Sequence, residues 1–338
     1  MGVKELINSL RKNLVFKVQK GAYRNLVFKG GGVRGIAYMG ALQVLEEMGI
    51  LKNIQRVAGT SAGAIAATIT SFRLNVADTI SVFNSLDFDK VPQSRSMHKD
   101  PKFLQLKDNE NYRRLFERYG WYSSEYFYDW LQDTIAGFCN GKRRATFEDF
   151  KKCGHRDLYI VASNLSQHRA EVFSAKATPN AAVADAVRMS MSIPLFFEAL
   201  RFDGQTFGSG DFYVDGGLFD NYPVHIFDEK EFSRSSSVVR NGVNWETLGL
   251  YLYPQKMLVQ EEPDLPRNLW EFVLLTGRNV YDSHDKASML NDAIEKRRTV
   301  EISDCGISAL DFDIEPGSEK YQKLFNSGRD AVRKFFNL

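Results

Sequence analysis

Apolar runs and glycine-rich turns alternate regularly through the first part of the chain. An apolar strand is predicted at 25–29, and after a glycine-rich turn apolar residues recur at helical spacing from Ile36 to Met48. The same succession follows, with a strand at 54–58, a second glycine-rich turn and a helix of small and apolar residues from Ala64 to Phe72. Strand, turn and helix repeated in this way predict a parallel α/β sheet.

The hydrophobic pattern changes between residues 87 and 152. Six aromatic residues fall in the ten positions from Trp121 to Trp130, and Tyr126, Trp130 and Ile135 are spaced to line one helical face. We predict an aromatic helical insertion that packs on the sheet. A lid, or a surface that contacts acyl chains, is the alternative, because Tyr and Trp suit boundaries between apolar and wet surroundings.

Regular elements are predicted again after this insertion. They are a buried strand at 157–162, an edge strand at 171–173, a helix at 180–191, a strand that runs into a turn at 212–217, a strand at 249–253 and a helix at 321–336. The expected architecture is a three-layer α/β/α fold with a central, mostly parallel sheet, related to the α/β-hydrolase architecture.

Composition narrows the classes of function. The 338 residues carry 44 Lys and Arg against 42 Asp and Glu, a formal net charge of +2, which argues against nucleic-acid binding. Cys139, Cys153 and Cys305 are scattered without metal-ligand spacing and suggest a reducing compartment. No apolar run approaches the roughly 18 residues of a membrane span, and the first residues are too charged for a signal peptide. We therefore expect a cytoplasmic protein without a metal site.

The second glycine-rich turn, Gly59-Thr-Ser61-Ala-Gly63, fits the nucleophile elbow G-x-S-x-G. In that motif the serine sits on a strained turn between a strand and a helix, and the flanking glycines let the neighbouring backbone pass closely. The five-residue pattern is weak by itself, but the strand predicted before it and the helix predicted after it supply the required context. Ser61 is therefore a candidate nucleophile.

The first glycine-rich turn admits two functions. It satisfies G-x-G-x-x-G, a dinucleotide-binding pattern, yet the second strand ends without the acidic residue that would hold a ribose. Consecutive glycines can instead direct backbone N–H groups at the oxyanion of an acyl-transfer intermediate. Since a nucleophile elbow is predicted on the adjacent strand, we favour an oxyanion hole formed by Gly30, Gly31, Gly32, Val33, Arg34 and Gly35.

A nucleophilic serine needs a general base, and the chain contains five histidines. Only His225 and His284 come late enough in the chain to close a Ser–Asp–His order. Asp215 of Asp215-Gly216-Gly217 is another candidate base, because it ends a predicted strand, where α/β sheets place active sites. The two glycines after it allow the backbone to approach closely.

The three motifs together, in this order and approximate spacing, resemble the signatures of the patatin-like phospholipases. Further similarity to that family runs through residues 186–194 and 215–223, and the match covers roughly Tyr23 to Phe227. Lys29 stands where plant members begin the first motif with Asp, a difference that concerns a side-chain contact and not the oxyanion hole.

The resemblance implies a Ser–Asp dyad without a catalytic histidine. Ser61 would be the nucleophile and Asp215 its general base, and Arg34 would brace the glycine-rich loop. The oxyanion would be bound by the backbone N–H groups of Gly31, Gly32 and Val33. The implied substrates are fatty-acyl esters, phospholipids or lysophospholipids, reached at a membrane or micelle surface. No cofactor, metal or nucleic acid is implied.

This interpretation divides the chain into three parts. Residues 1–22 form an amphipathic extension, 23–230 a patatin-like catalytic domain that includes the insertion at 87–152, and 231–338 a C-terminal extension that packs on it. Three other functions stay open at this point: a His-dependent carboxylesterase, a NAD-binding oxidoreductase and a non-catalytic lipid-binding module. Basic patches at 142–144 and 151–152 are candidates for contact with anionic lipid.

Overall fold

An eight-stranded mixed sheet organises the protein in the computed structural model, which describes residues 22–93, 109–235, 238–255 and 295–338. The strands are β1 (Asn25–Phe28), β2 (Arg56–Thr60), β3 (Gly120–Tyr122), β4 (Asp157–Asn164), β5 (Arg169–Ser174), β6 (Leu195–Phe197), β7 (Leu200–Phe202), β8 (Asp211–Asp215), β9 (Val239–Arg240), β10 (Val243–Asn244), β11 (Thr247–Tyr253) and β12 (Thr299–Ser303). The α-helices are α1 (Ile36–Glu47), α2 (Ala62–Ser71), α3 (Val76–Asn84), α4 (Asn109–Arg118), α5 (Glu125–Phe138), α6 (Phe147–Lys152), α7 (Val183–Ser190) and α8 (Glu319–Phe336). None of the helices in these ranges has both the length and the apolar character that crossing a membrane requires.

The strand order of the large sheet is β12-β11-β1-β2-β4-β8-β7, and β5 pairs with β4. The five strands from β12 to β4 are mutually parallel, whereas β5, β7 and β8 pair in the antiparallel sense. The predicted α/β fold with a central, mostly parallel sheet is confirmed. The antiparallel strands at one end form a feature that the sequence pattern does not predict.

Side chains of the parallel strands alternate between two cores, as the two-residue period of a strand requires. Leu26 and Phe28 of β1 point into the main core, to which α1, α2 and α8 also contribute. Val27 points to the other face and packs there with apolar residues of the short 3-10 helices Val224–Asp228 and Lys230–Phe232. The parallel strands are therefore buried on both faces, which is the usual condition of such sheets.

β4 changes its pairing partner part-way along its length. Residues 157–161 pair with β2, and residues 162–164 pair with β8. Thr60 ends β2 opposite Val161, and Asp215 ends β8 opposite Ala162. The carboxyl ends of β2 and β8 therefore meet beside β4, although the two strands run in opposite directions. This meeting point places Asp215 next to the turn that carries Ser61.

The C-terminal segment is continuous with the sheet. β11 lies between β1 and β12, and α8 packs on α1. Part of the predicted extension 231–338 therefore belongs to the central sheet, beyond the packing role expected for it. The N-terminal extension predicted at 1–22 lies outside the described residues except for its last residue.

The aromatic insertion contains the predicted helix, whose most buried side chains are not its tyrosines and tryptophan. Phe127, Leu131 and Ile135 form the buried face of α5, whereas Tyr126 and Trp130 are only half-buried. Tyr126 and Trp130 pack against the same core as Ile135, at its edge. Tyr126 OH accepts from a backbone N–H, that of Asp87, at 3.3 Å, and Trp130 Nε1 donates to a serine hydroxyl at 3.0 Å, so their polar ends stay at the rim.

Two of the three cysteines are neighbours in space. Cys139 follows α5 and Cys153 follows α6, and both sulfur atoms lie close to the imidazole of His155. The sequence shows no metal-ligand spacing between them, but the ends of two helices bring this pair together at the start of β4. Cys305 lies elsewhere, near the carbonyl of Lys323.

Candidate active site

Ser61 occupies a sharp turn between β2 and α2. Its backbone has φ 54° and ψ −124°, a conformation that residues with a side chain rarely adopt. Such strain persists where the surrounding structure imposes it, often at functional sites. Gly63 completes the turn, because a Cβ there would lie 2.2 Å from the Phe28 carbonyl oxygen, and Gly59 packs its backbone against Gly63. The turn has the geometry of a nucleophile elbow.

A buried serine on α7 fastens this turn to the sheet. The Ser61 N–H donates to Ser190 Oγ at 2.8 Å, and the Ser190 hydroxyl donates to the Val161 carbonyl at 2.6 Å. Both hydrogen bonds are buried, and together they hold the Ser61 backbone in a fixed position relative to β4. Ser190 has no role in the sequence-based prediction, and its one signal there is its place in the family-like stretch 186–194.

Asp215 lies beside Ser61 with its carboxylate only partly satisfied. The side chain is 2% exposed, and Oδ1 accepts a hydrogen bond from the Gly217 N–H at 2.7 Å. Oδ2 is buried and makes no hydrogen bond within the described part of the chain. Gly216 and Gly217 begin a 3-10 turn at the end of β8, so the Gly217 N–H is held in place to orient the carboxylate.

Burial sets the proton affinity of this carboxylate. Loss of hydration raises the pKa of Asp215 from its ordinary value of 3.8 to about 7, while the Ser61 hydroxyl and the Gly217 N–H act in the opposite direction. A general base works best when its pKa is close to the operating pH. Asp215 is therefore able to take up and release a proton near neutral pH, which an exposed aspartate is not.

The loop from Gly30 to Gly35 lies directly against the nucleophile turn. A Cβ added to Gly30 would be 3.2 Å from Ser61 Cβ, and one added to Gly35 would be 3.3 Å from Ala62 Cβ. Gly32 has φ +58°, and a Cβ there would lie 2.0 Å from the Ala309 carbonyl oxygen, so only glycine suits this position.

Backbone N–H groups of this loop differ in whether they already donate a hydrogen bond within the protein. Gly31 and Gly32 donate to no acceptor among the described residues, whereas the Gly30 N–H donates to the Asn221 carbonyl at 3.0 Å. The Val33 N–H donates to the Ala309 carbonyl at 3.1 Å. The structure therefore makes Gly31 and Gly32 the candidate oxyanion donors and corrects the inclusion of Val33, whose N–H is occupied.

Arg34 folds back onto its own loop. Its Nε donates to the Gly31 carbonyl at 2.9 Å, and its guanidinium pairs with Asp304 at 3.0 Å. Asp304 also accepts from the backbone N–H groups of Gln255 and Gly306. The C-terminal segment thus holds the glycine-rich loop through Arg34 as well as through Ala309. Neither Asp304 nor Ala309 lies in a recognisable sequence motif.

The described histidines are engaged with other groups than the serine. His225 is mostly exposed and lies 3.7 Å from Asp220, and His168 sits in a turn after β4. His155 contacts Cys139 and the Phe138 carbonyl at the amino-terminal end of β4. None of these three hydrogen-bonds to Ser61 or Asp215 in the described part of the chain. His98 and His284 lie outside the described residues.

A family model for patatin-like phospholipase matches residues 26–228. The chain belongs to the patatin-like phospholipase family. It is an ester-hydrolysing enzyme, a lipid acyl hydrolase in the general sense, which decides against the NAD-binding interpretation of the first glycine-rich turn. The matched region contains both glycine-rich turns, Ser61 and the Asp215 turn.

Relatives of this patatin-like chain match it over most of its length. An uncharacterized protein of Acanthamoeba polyphaga mimivirus is 25% identical over 94% of this chain and 95% of its own length. The uncharacterized protein YqhO of Bacillus subtilis is 32% identical over 78% of this chain and 82% of its own length. A probable lipid hydrolase of Invertebrate iridescent virus 6 is 27% identical over 62% of this chain and 65% of its own length.

The fold of this patatin-like chain also has a counterpart among solved structures. VipD from Legionella pneumophila superposes with a TM-score of 0.55 at 17% identity, covering 94% of this chain and 67% of VipD. At this level of identity the likeness concerns the fold alone.

Proposed function

We propose that this lipid acyl hydrolase uses a Ser–Asp dyad, with Ser61 as nucleophile and Asp215 as general base. The chief support is the buried carboxyl of Asp215, whose pKa is about 7 and whose neighbouring proton donor is the Ser61 hydroxyl. An acid–base group with this pKa, next to a serine held on a strained turn, is suited to nucleophilic catalysis. None of the described histidines hydrogen-bonds to Ser61, which also supports the aspartate as base.

The chemistry proceeds in two halves. Ser61 Oγ attacks the acyl carbonyl while Asp215 takes its proton, and the tetrahedral intermediate expels the alkoxide, which receives that proton. A water then attacks the acyl-enzyme with Asp215 again as base, which releases the fatty acid and restores Ser61. The proton of Ser61 thus leaves with the alcohol in the first half, and a proton from water replaces it in the second.

The oxyanion of both intermediates is assigned to the N–H groups of Gly31 and Gly32. They belong to a loop that lies against the Ser61 turn and is fixed by Arg34 and Ala309, so they need no rearrangement during the reaction. Donors arranged in advance stabilise developing charge more than mobile ones do, and removal of one such donor typically costs about 3 kcal/mol. The amino terminus of α2, directly after Ser61, adds a favourable partial charge.

The proposed substrates are phospholipids or lysophospholipids presented at a membrane or micelle surface. Support comes from the family and from the probable lipid hydrolase among the relatives. The basic patches predicted to meet anionic lipid are weaker candidates in the structure. Four of their five cations pair with neighbouring carboxylates, namely Lys142 with Asp149, Arg143 with Asp129 and Asp133, Arg144 with Asp185 and Lys152 with Glu148.

A long-chain fluorophosphonate tests the dyad, because it reacts covalently with an activated serine. We expect the wild-type protein, mixed with phospholipid vesicles, to be labelled at Ser61 and Ser61→Ala to stay unlabelled, as read by intact mass and peptide mapping. Labelling of Asp215→Asn should slow by about 10²- to 10⁴-fold.

His225→Ala and His284→Ala are the matched variants for the His-dependent alternative. Both should be labelled at the wild-type rate if the dyad acts alone. Absence of label on the folded wild-type chain, or its loss in a folded His284→Ala variant, would overturn the assignment.

A further inference from the structure

Three side chains with strong affinity for soft metals lie together outside the active site. Cys139, Cys153 and His155 each bring one ligand atom to within 4.8 Å of the others, and no other group of this kind occurs in the described ranges. We call these three residues the Cys–His cluster. It lies at the amino-terminal end of β4, whereas Ser61 and Asp215 lie near its carboxyl-terminal half.

Local structure explains how distant residues reach this point. Cys139 is the residue after α5, Cys153 is the residue after α6, and Gly154, with φ +77°, turns the chain so that His155 returns to the same place. The His155 ring is held edge-on by Phe72 and Phe150, with ring centroids 5.2 and 5.1 Å away. The positions of the three ligand atoms are therefore set by two helix ends and an aromatic wall.

The donor set suits a particular class of ion. Two thiolates and one imidazole favour zinc or another thiophilic divalent metal over calcium or magnesium, which prefer oxygen. Bond lengths of about 2.3 Å to sulfur and 2.0 Å to nitrogen in a tetrahedral site place ligand atoms about 3.5 to 3.8 Å apart. Cys139 Sγ and His155 Nε2 are 3.4 Å apart and all three ligand atoms lie within 4.8 Å of one another, so side-chain shifts of about 1 Å would complete this spacing.

Charge and access are also compatible with a divalent ion. Two thiolates neutralise the +2 charge, so the ion needs no further anion. Cys139 is fully buried, but Cys153 and His155 are half-buried, which leaves a route for the ion and room for a water as fourth ligand. His155 Nε2 also lies 3.1 Å from the Phe138 carbonyl, a contact that ligation through this nitrogen would replace.

We propose that the Cys–His cluster binds a zinc ion that ties the ends of α5 and α6 to β4. Binding converts two thiols to thiolates and releases two protons: the two Zn–S bonds form as the two S–H bonds break, with no change of oxidation state. Both β2 and β8 pair with β4, and this pairing brings Ser61 next to Asp215. The ion would therefore join the insertion to the strand that aligns these two residues. The site is independent of the dyad and does not rest on it.

Cobalt(II) reports this site directly, because thiolate ligation gives an intense near-ultraviolet charge-transfer band. We expect the reduced full-length chain to develop this band on titration with Co²⁺ alone, at one ion per chain, and to lose it on addition of Zn²⁺. Cys139→Ser and Cys153→Ser should each remove most of the band, and His155→Gln should weaken binding. Cys305→Ser and His168→Gln are matched controls outside the cluster and should titrate like wild type.

A second measurement avoids dependence on variants that fail to fold. Excess Zn²⁺ should raise the Tm of the wild-type chain by a few degrees relative to chelator, because an ion that binds only the folded state stabilises it. Absence of both the cobalt band and the Tm increase in fully reduced wild-type protein would overturn the proposal. So would a disulfide between Cys139 and Cys153 in protein isolated with thiol trapping, since it would show the pair to be a redox couple. Neither measurement uses ester hydrolysis. A protein that binds no zinc would therefore leave the proposed dyad unaffected, and failure of the dyad would leave the zinc proposal unaffected.

Discussion

Asp185 and Asp215 are both buried almost completely, yet their surroundings differ. Asp185, in the first turn of α7, accepts hydrogen bonds from the Tyr128 hydroxyl and from the Arg144 guanidinium, each at 2.5 Å. Asp215 accepts one backbone hydrogen bond from Gly217 and has an oxygen without a hydrogen-bond partner among the described residues. Asp185 thus has a cation beside it, whereas burial raises the pKa of Asp215 to about 7.

The difference separates a carboxylate that supports structure from one equipped for chemistry. A buried charge is normally paired because an unpaired one costs several kcal/mol. Around Asp185 that rule is obeyed, and the side chain links the insertion helix α5 to α7. Around Asp215 burial instead raises the pKa to about 7, which suits the role of general base proposed for it. Under the proposed mechanism, the functional member of the pair is thus the buried acid with fewer hydrogen bonds.

The comparison predicts opposite effects on catalysis. Asp215→Asn keeps the size of the side chain but removes the base, so kcat/KM on a phospholipid ester should fall by about 10²- to 10⁴-fold. Asp185→Asn should stay within a few-fold of wild type, because its side chain contacts no reacting group. Initial rates of fatty-acid release from mixed micelles measure both. Equal losses in the two variants would remove the distinction.

Stability should respond to Asp215→Asn with a strong pH dependence. The pKa of Asp215 is higher in the folded chain than in the unfolded chain, so ionisation of Asp215 destabilises the fold. This destabilisation is absent below pH 3.8, grows as the pH rises and is complete above about 7. The Asn variant does not titrate at this position. Its free energy of unfolding, relative to wild type, should therefore increase by about 4 kcal/mol between pH 4 and pH 8. Urea unfolding at several pH values measures the change, and a flat difference would contradict it.

The pH profile of the wild-type reaction should carry the same signature. Because the free enzyme must have Asp215 ionised, kcat/KM should rise with pH and level off above about 7, with an activity about 100-fold lower at pH 5. An activity that is constant down to pH 5 would assign the base to a group of lower pKa. Rates should be compared on an uncharged ester as well, so that ionisation of the lipid surface is controlled.

The smallest effect is expected at the structural member of the pair. Asp185→Asn removes the charge that faces Arg144, but Arg144 is 43% exposed and keeps part of its hydration. We expect a loss of about 1–3 kcal/mol in the free energy of unfolding at pH 7. Arg144→Gln, which also breaks the pair but leaves the fully buried carboxylate uncompensated, should cost more.

The sequence predicts the parts of the site that depend on local chain geometry. Ser61 and Asp215 could be located because each follows an apolar strand and adjoins glycines, and the strand and helix around Ser61 are found where the pattern places them. The role of each residue remains a proposal. The parallel order of β1 and β2 is likewise a consequence of repeated strand–turn–helix units.

Features that depend on distant segments could not be predicted. Ser190, Asp304 and Ala309 act through contacts with residues far away in the chain, and nothing in their own neighbourhoods marks those contacts. The change of partner along β4 joins a parallel neighbour to an antiparallel one, which hydrophobic periodicity does not encode. Cys139 and Cys153 meet only because two helices end at one place.

The contact between Val33 and Ala309 has a consequence for the growing chain during protein synthesis. Synthesis runs from the amino terminus, so the nucleophile, the base and the glycine-rich loop have all left the ribosome before Ala309 is added. Until then the loop lacks the carbonyl that holds Val33 and the carboxylate of Asp304 that holds Arg34. A nascent chain that has not yet reached Ala309 thus contains every group of the proposed dyad without the contacts that hold its candidate oxyanion donors in place.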